Sequence, residues 1–355
     1  MASGVVSNVR VAGVASAVPG EARELVPGPG LTAEELAKVV ASTGVMRRRV
    51  TGGQLCTSDL CFAAADALLA QLRWSRDSID LLVFVSQTPD YILPATSCVL
   101  HGRLGLAKSC AAYDIALGCS GYVYGLSVVA QQLSAGMYRR ALLLVGDTIT
   151  KITSAEDRSV AYLFGDAGTA TALEHVPGSA PMVFELGTDG NGAGFLQVPA
   201  GGFRRRSDES TRRVVEREPG IARSDEHLHM SGAEVFNFTI REVPGLLKRL
   251  IDNAGCTPPD VDWWVLHQAN RFMVDYLAKR MRLPADKVVI SLGNYGNTSS
   301  ASIPLALIDP LREQIAGGPA RVVLAGFGVG FSWAGAMITL ENVAAPRLIE
   351  VTPST

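Results

Sequence analysis

The most constraining stretch of the chain is residues 111–137, AAYDIALGCSGYVYGLSVVAQQLSAGM. Residues 113–117 alternate in the manner of a short buried strand, and Gly118 breaks the pattern. From Cys119 onward the apolar residues Tyr122, Val123, Tyr124, Leu126, Val128, Val129 and Leu133 run almost all round a helix, which Gly136 closes. A cysteine therefore sits on a tight strand-to-helix turn, at the positive end of a buried helix. Free N–H groups and a partial charge of roughly half a unit gather there. Both favour the thiolate, the nucleophilic form of the side chain. A buried cysteine is otherwise only a small core residue, so the rest of the chain decides its role.

The 355 residues suffice for one large or two moderate domains. An apolar fraction of 48% against 19% charged residues describes a soluble protein with a large core. The net charge of −2 gives no global field toward nucleic acid or a membrane surface. The longest apolar runs are strand-length, far short of a membrane span, and the first twenty residues do not read as a secretory signal. The six cysteines (56, 61, 98, 110, 119 and 256) form no CxxC and no disulfide framework, so free thiols in a reducing cytoplasm are expected.

Strands are expected over residues 5–18, 79–86, 140–146, 182–188, 262–266, 288–292 and 321–325, with 337–341 last; 165–174 reads as a turn and a strand. Helices are expected over 33–42, 59–72, 97–104, 231–249 (interrupted or kinked at Pro244) and 271–281. Residues 199–227 change character and carry Arg204, Arg205, Arg206, Arg212 and Arg213; a solvated surface loop is the first reading, and a basic lip for an acidic partner the second. The halves also echo each other. WSRDSIDLLV (74–83) lies against CTPPDVDWWV (256–265) without a gap, and ALGCSGYVYGLSVVAQQL (116–133) against NYGNTSSASIPLALIDPL (294–311). In that overlay Cys119 faces Asn297. Two similar α/β halves about a pseudo-twofold axis would bring them to one site, and His267 follows a strand end of the second half, where open α/β sheets carry function.

With these residues in view, the chain resembles the thiolase superfamily, and more narrowly the β-ketoacyl–acyl carrier protein synthase III group. The resemblance spans nearly the whole chain. It rests on DIALGCSGYVYGL around Cys119, LHQAN around His267 and GNTSSASIP around Asn297, with TGVMRRR, FGDAGTA, LHMSGAEVF and GFGVGFSWAG in support. It implies an α/β, five-layered αβαβα thiolase fold with an N-terminal half over 1–180 and a C-terminal half over 181–355, the Arg-rich insertion falling at about 200–226. It implies a homodimer in which Cys119 is acylated while His267 and Asn297 bind the thioester oxygen of a malonyl-type extender as carbon dioxide leaves. The backbone N–H groups of Cys119 and Val329 would form the oxyanion hole. Phe164 and Phe327 would line the site together with Asn270. Leu93 would close the partner's acyl pocket, and Arg158 would stack on the adenine of coenzyme A. Arg271, Arg204 and Arg205 are carrier-docking candidates. The substrates would be acyl-CoA or acyl-ACP and a malonyl-type thioester, with no permanently bound cofactor and no metal.

The chain departs from the family pattern in places. Lys38 and Ser42 stand where a tryptophan and an arginine hold the nucleotide, Leu266 replaces a proline, and Val329 replaces the middle glycine of the glycine-rich turn. These departures and the long Arg-rich stretch point to a specialised pathway, polyketide or glycan acylation. Two other functions use the same fold: acyl transfer to an alcohol or amine without decarboxylation, against which Asn297 counts, and a non-catalytic partner subunit, against which Cys119 counts. His227 and His229 lack a third metal ligand, and GFGVG lacks the spacing of a dinucleotide loop.

Overall fold

A computed structural model describes residues 2–28 and 31–353. The longer strands are β1 (Ala2–Val6), β2 (Val9–Pro19), β3 (Leu81–Val85), β4 (Ala111–Ile115), β5 (Arg140–Asp147), β6 (Ala167–His175), β7 (Met182–Thr188), β8 (Trp263–Leu266), β9 (Ala320–Gly328), β10 (Ser332–Leu340) and β11 (Ala344–Val351). The principal helices are α1 (Ala33–Thr43), α2 (Thr57–Leu72), α3 (Thr96–Leu104), α4 (Gly121–Ser134), α5 (Gly232–Asn253), α6 (Arg271–Met281) and α7 (Ser302–Ile308).

Two mixed sheets form. The first has the order β11-β2-β6-β5-β3-β4 and the second β1-β7-β10-β9-β8. The directions repeat as well. β3 runs parallel to β5, which is antiparallel to β6, itself antiparallel to β2; β8, β9, β10 and β7 reproduce that series. Each of the echoed segments 74–83 and 256–265 is a 3-10 turn leading into a buried strand. The edges exchange chain ends, since β11 joins the first sheet and β1 the second.

Hydrophobic burial assembles five layers. Leu60, Leu68 and Leu100 of α2 and α3 pack on the outer face of the first sheet. Tyr122, Leu126 and Val129 of α4, with Ile303 and Leu307 of α7, fill the space between the sheets. Phe238, Leu246, Leu250, Val274 and Leu277 of α5 and α6 cover the second sheet from outside. The apolar circumference of α4 follows from that middle position, where no side meets water. Fully buried β3 reads as a continuous apolar run for the same reason. The fold is the five-layered αβαβα thiolase fold with two look-alike halves. No helix among the described residues is long and apolar enough to cross a membrane.

Several boundaries differ from the sequence reading. The single strand expected over 5–18 is two strands in different sheets, divided at Asn8, whose φ is +63°. Residues 288–292 form only a bridge from Val288 to Trp264, at the place equivalent to β4. α5 continues through Pro244, because Val243, Leu246, Leu247 and Leu250 are buried and outweigh one missing N–H. The last strand expected at 337–341 is the end of β10, and β11 follows it. The Arg-rich stretch is exposed but not all loop: Asp208 caps a short helix, Glu209–Arg212, and Val215–Glu218 pairs with Ile221–Arg223.

Candidate active site

Cys119 lies between β4 and α4. The helix proper starts at Gly121, so the thiol sits just outside its first turn. Strand β9 of the second half passes directly over it. A Cβ on Gly328 would fall 2.9 Å from the Cys119 Sγ, and one on Gly326 would fall 2.6 Å from the Cys119 carbonyl oxygen. Only glycine permits that approach. Asn297 stands two residues before the 3-10 turn Ser299–Ala301 that leads into α7, much as Cys119 stands two residues before α4. His267 follows β8 directly, its backbone N–H donating to the Ala325 carbonyl of β9 at 2.7 Å.

These three residues line one cavity of about 300 Å³, with Phe164, Phe327, Val329 and Asn270. All three are buried, between 2% and 8% exposed. The rest of the wall is mostly apolar, including Ile149, Leu163, Leu228 and Met273. Such a cavity strengthens any hydrogen bond made inside it.

Burial dominates the electrostatics. It pushes the Cys119 thiol up to about 11, with the Asp147 carboxylate adding to the rise; the Ser299 hydroxyl and the backbone N–H groups of Val329 and Cys119 pull the other way. The thiolate expected from the helix terminus is therefore not the resting form, because the cost of a buried charge exceeds what those donors return. The two N–H groups still converge beside the sulfur. Beside them a relay crosses between the halves, in which Ser120 Oγ–H donates to Ser332 Oγ at 2.7 Å and Ser332 donates to the Val329 carbonyl at 2.9 Å.

Burial moves His267 down to about 3, so the imidazole is neutral at physiological pH. Its Nδ1 lies 2.7 Å from Ser302 Oγ, and its ring meets Phe327 edge-on at 5.6 Å between centroids. The Asn297 Oδ1 accepts from Ser299 N–H at 2.9 Å, and Nδ2 donates to the Ala269 carbonyl at 3.2 Å. This fixes which end of the amide is nitrogen and leaves one N–H for the cavity. Ser299, held at φ +51°, lies with its hydroxyl 3.9 Å from the Cys119 sulfur.

Of the other residues singled out, Asn270 caps α6 by accepting from Met273 N–H at 2.8 Å, and it also lines the cavity. Arg158 is exposed and lies against Gly220, outside the cavity. Leu93 is 79% exposed in the apolar run Tyr91–Leu93 and also lies outside the cavity. Arg271 pairs with Asp275 at 3.1 Å on α6. Arg205 pairs with Asp225 at 2.8 Å, and Arg204 is exposed. Lys38 pairs with Glu34 at 3.0 Å on the exposed face of α1, and Ser42 bonds back to the Val39 carbonyl. His227 and His229 have separate partners, Ser224 and Arg223.

Sequence reasoning passed over Ser299, Ser302, Asp147 and Gln87. Asp147, at the end of β5, accepts from Ser86, Gln87 N–H and both the N–H and hydroxyl of Ser300, so one buried carboxylate ties the first half to the Asn297 loop. Gln87 lines the cavity beside Gly118. Apart from the bond between Ser299 and Asn297, the contacts that matter here lie far off in sequence, and only the closeness of Ser299 and Ser302 to Asn297 gives a signal.

Known proteins resemble the chain over most of its length. Residues 113–190 match the model of 3-oxoacyl-[acyl-carrier-protein] synthase III, and 251–340 match that of its C-terminal part. The β-ketoacyl-[acyl-carrier-protein] synthase III of Desulfitobacterium hafniense strain Y51 is 35% identical over 84% of this chain and 88% of its own length. A 3-oxoacyl-(acyl-carrier protein) synthase of Burkholderia xenovorans LB400 superposes with a TM-score of 0.91 at 43% identity, covering 99% of both chains. The priming β-ketosynthase of the R1128 polyketide pathway superposes at 0.76 with 27% identity over 96% of this chain and 98% of that one. With its two look-alike halves meeting at a buried thiol, the chain belongs to the β-ketoacyl-[acyl-carrier-protein] synthase III family of condensing enzymes.

Proposed function

We propose that the protein catalyses decarboxylative Claisen condensation, with Cys119 as nucleophile and His267 and Asn297 as the decarboxylating pair. The observation that carries this reading is one apolar cavity holding a thiol, a neutral imidazole and an oriented carboxamide, with two backbone N–H groups at the sulfur. In the first half-reaction the Cys119 sulfur attacks the carbonyl of an acyl-CoA or acyl-ACP. The oxyanion is held by the N–H groups of Cys119 and Val329, and the thiol proton ends on the departing carrier thiol. In the second, a malonyl-type thioester loses carbon dioxide and its electron pair forms an enolate. The enolate oxygen accepts from His267 and Asn297. Its carbon attacks the acyl group, and the Cys119 thiolate leaves and takes a proton from solvent. Donors set in advance suit this charge; one is worth about 3–4 kcal/mol of barrier.

The residues at the family's nucleotide-holding positions favour a carrier protein as acyl donor. Lys38 and Ser42 offer an adenine ring no stacking surface, leaving Arg158 alone among the candidate nucleotide contacts. Arg271, Arg204 and Arg205 are the proposed docking cations. The exposed run Tyr91, Ile92 and Leu93 is read as the segment that a second copy covers in a homodimer, with Leu93 closing the partner's acyl pocket. The departures at Leu266 and Val329 favour a specialised pathway, and a cytoplasmic enzyme free of resident metal or cofactor suits this chemistry.

The test is intact-mass spectrometry after exposure to a panel of acyl-CoA and acyl-ACP donors. The expected result is one acyl adduct on the wild-type protein and none on Cys119→Ala. An adduct that persists in Cys119→Ala would refute the assignment of the nucleophile.

A further inference from the structure

The imidazole of His267 has two nitrogens in different surroundings. Nδ1 is turned away from the cavity onto Ser302 Oγ at 2.7 Å. Nε2 has no protein partner among the described residues, and the residue lines the cavity. Which nitrogen carries the proton decides what the ring can do there. With the proton on Nε2 it donates to a thioester or enolate oxygen; with the proton on Nδ1 it presents a lone pair to that oxygen and repels it.

The surroundings of Ser302 settle the choice by counting donors. Ser302 is 2% exposed and His267 likewise 2%, so neither group has bulk water to turn to. Ser302 Oγ receives the Gln268 backbone N–H at 3.4 Å. Its own O–H has no acceptor other than His267 Nδ1 among its hydrogen bonds. A proton on Nδ1 would point at an oxygen already facing one donor and would strand the serine hydrogen without a partner. A buried donor left unmet is the costly outcome. A proton on Nε2 lets Ser302 accept from Gln268 and donate to Nδ1, and every group is satisfied.

We propose that Ser302 is a positioning residue that holds His267 as the Nε2–H tautomer, aiming its one N–H donor into the cavity. This deepens the condensing-enzyme reading and rests on it for its catalytic consequence. It also divides the two half-reactions. An imidazole whose cavity-facing nitrogen already bears a proton is no base for the Cys119 thiol, so His267 serves decarboxylation and not acylation. Ser302, at the first position of α7, is well placed for this, because α7 is the inner helix of the second half and does not shift without repacking both sheets.

The test has a readout that does not depend on activity. In protein labelled with nitrogen-15 at histidine, the imidazole spectrum of the wild type at neutral pH should show His267 protonated at Nε2, identified by loss of its signals in His267→Gln. A spectrum with the proton on Nδ1 overturns the proposal whatever the enzyme does. In Ser302→Ala, acyl-enzyme formation should stay within about threefold of wild type, while carbon dioxide release from a malonyl thioester falls at least tenfold in kcat with little change in KM. Ser302→Thr, which keeps the hydroxyl, should restore most of that loss. Unchanged decarboxylation in a folded Ser302→Ala would also refute the proposal. Should Ser302→Ala not fold, the wild-type spectrum still decides. Absence of any acyl-enzyme in the wild type would count against the condensing-enzyme reading, and the tautomer would still stand or fall by its spectrum.

Discussion

A thiol raised to about 11 by burial and an imidazole lowered to about 3 make opposite demands on pH. The thiol ionises less readily than in water, so acylation of Cys119 should quicken with rising pH up to about 11. His267 stays neutral from about pH 4 upward, so carbon dioxide release from pre-acylated enzyme should show no acid limb near the ordinary histidine range. Separate pH profiles of the two half-reactions check this. A decarboxylation limb near pH 6.5 would contradict a buried neutral ring. Asn297→Ala removes one of the two proposed enolate donors, and decarboxylation should fall on the order of 100- to 1,000-fold while acylation persists. At this scale, part of the site was legible. Cys119, His267 and Asn297 stand in motif blocks with clear chemistry, and all three reach one cavity. Ser302 and Asp147 were not, because their roles depend on partners 35 and 153 positions away. The thiolate expectation failed because a helix terminus is local and readable, whereas desolvation is a property of the packed whole.

Elements bring these residues together, and β5 and β9 do most of it. β5 ends in Asp147, whose carboxylate holds the Asn297 loop through Ser300 at 2.6 Å. Asp147→Ala should strand the N–H groups of Gln87 and Ser300, at about 1–3 kcal/mol each. Asp147→Asn should cost less, because its oxygen still accepts. Thermal melts of the two variants give the order; equal losses would contradict this role. β9 passes so close to the thiol that Gly328→Ala places a methyl at 2.9 Å from Sγ. Acylation should be lost while the fold survives, as intact mass and circular dichroism can show. Strands buried on both faces, such as β3 and β5, were legible as unbroken apolar runs. β11 was not: it is an edge strand in which only Pro346 is buried and Arg347 and Glu350 are charged, and edges carry little pattern. The 288–292 segment misled in the other direction, since its apolar residues fill the core without completing a ladder.

Across the whole molecule, the echo of 74–83 by 256–265 revealed the two-halved plan, while the exchange of chain ends had no trace in sequence. β11 completes the first sheet, β1 the second, and α7 fills the layer between. A fragment of residues 1–180 therefore lacks both an edge strand and an inner helix, and should not melt cooperatively on its own; a sharp independent melt would contradict that dependence. The plan has a chemical consequence. In the proposed reaction the first half supplies the sulfur and the second the decarboxylating pair, so acylation and decarboxylation should be separable. A single turnover of pre-acylated enzyme with a malonyl thioester measures this most directly, following carbon dioxide and protein mass in one sample. The account predicts one carbon dioxide released for each acyl group lost from Cys119, and an Asn297→Ala enzyme that remains acylated and releases almost none. Loss of the acyl group to an acceptor without carbon dioxide would contradict it.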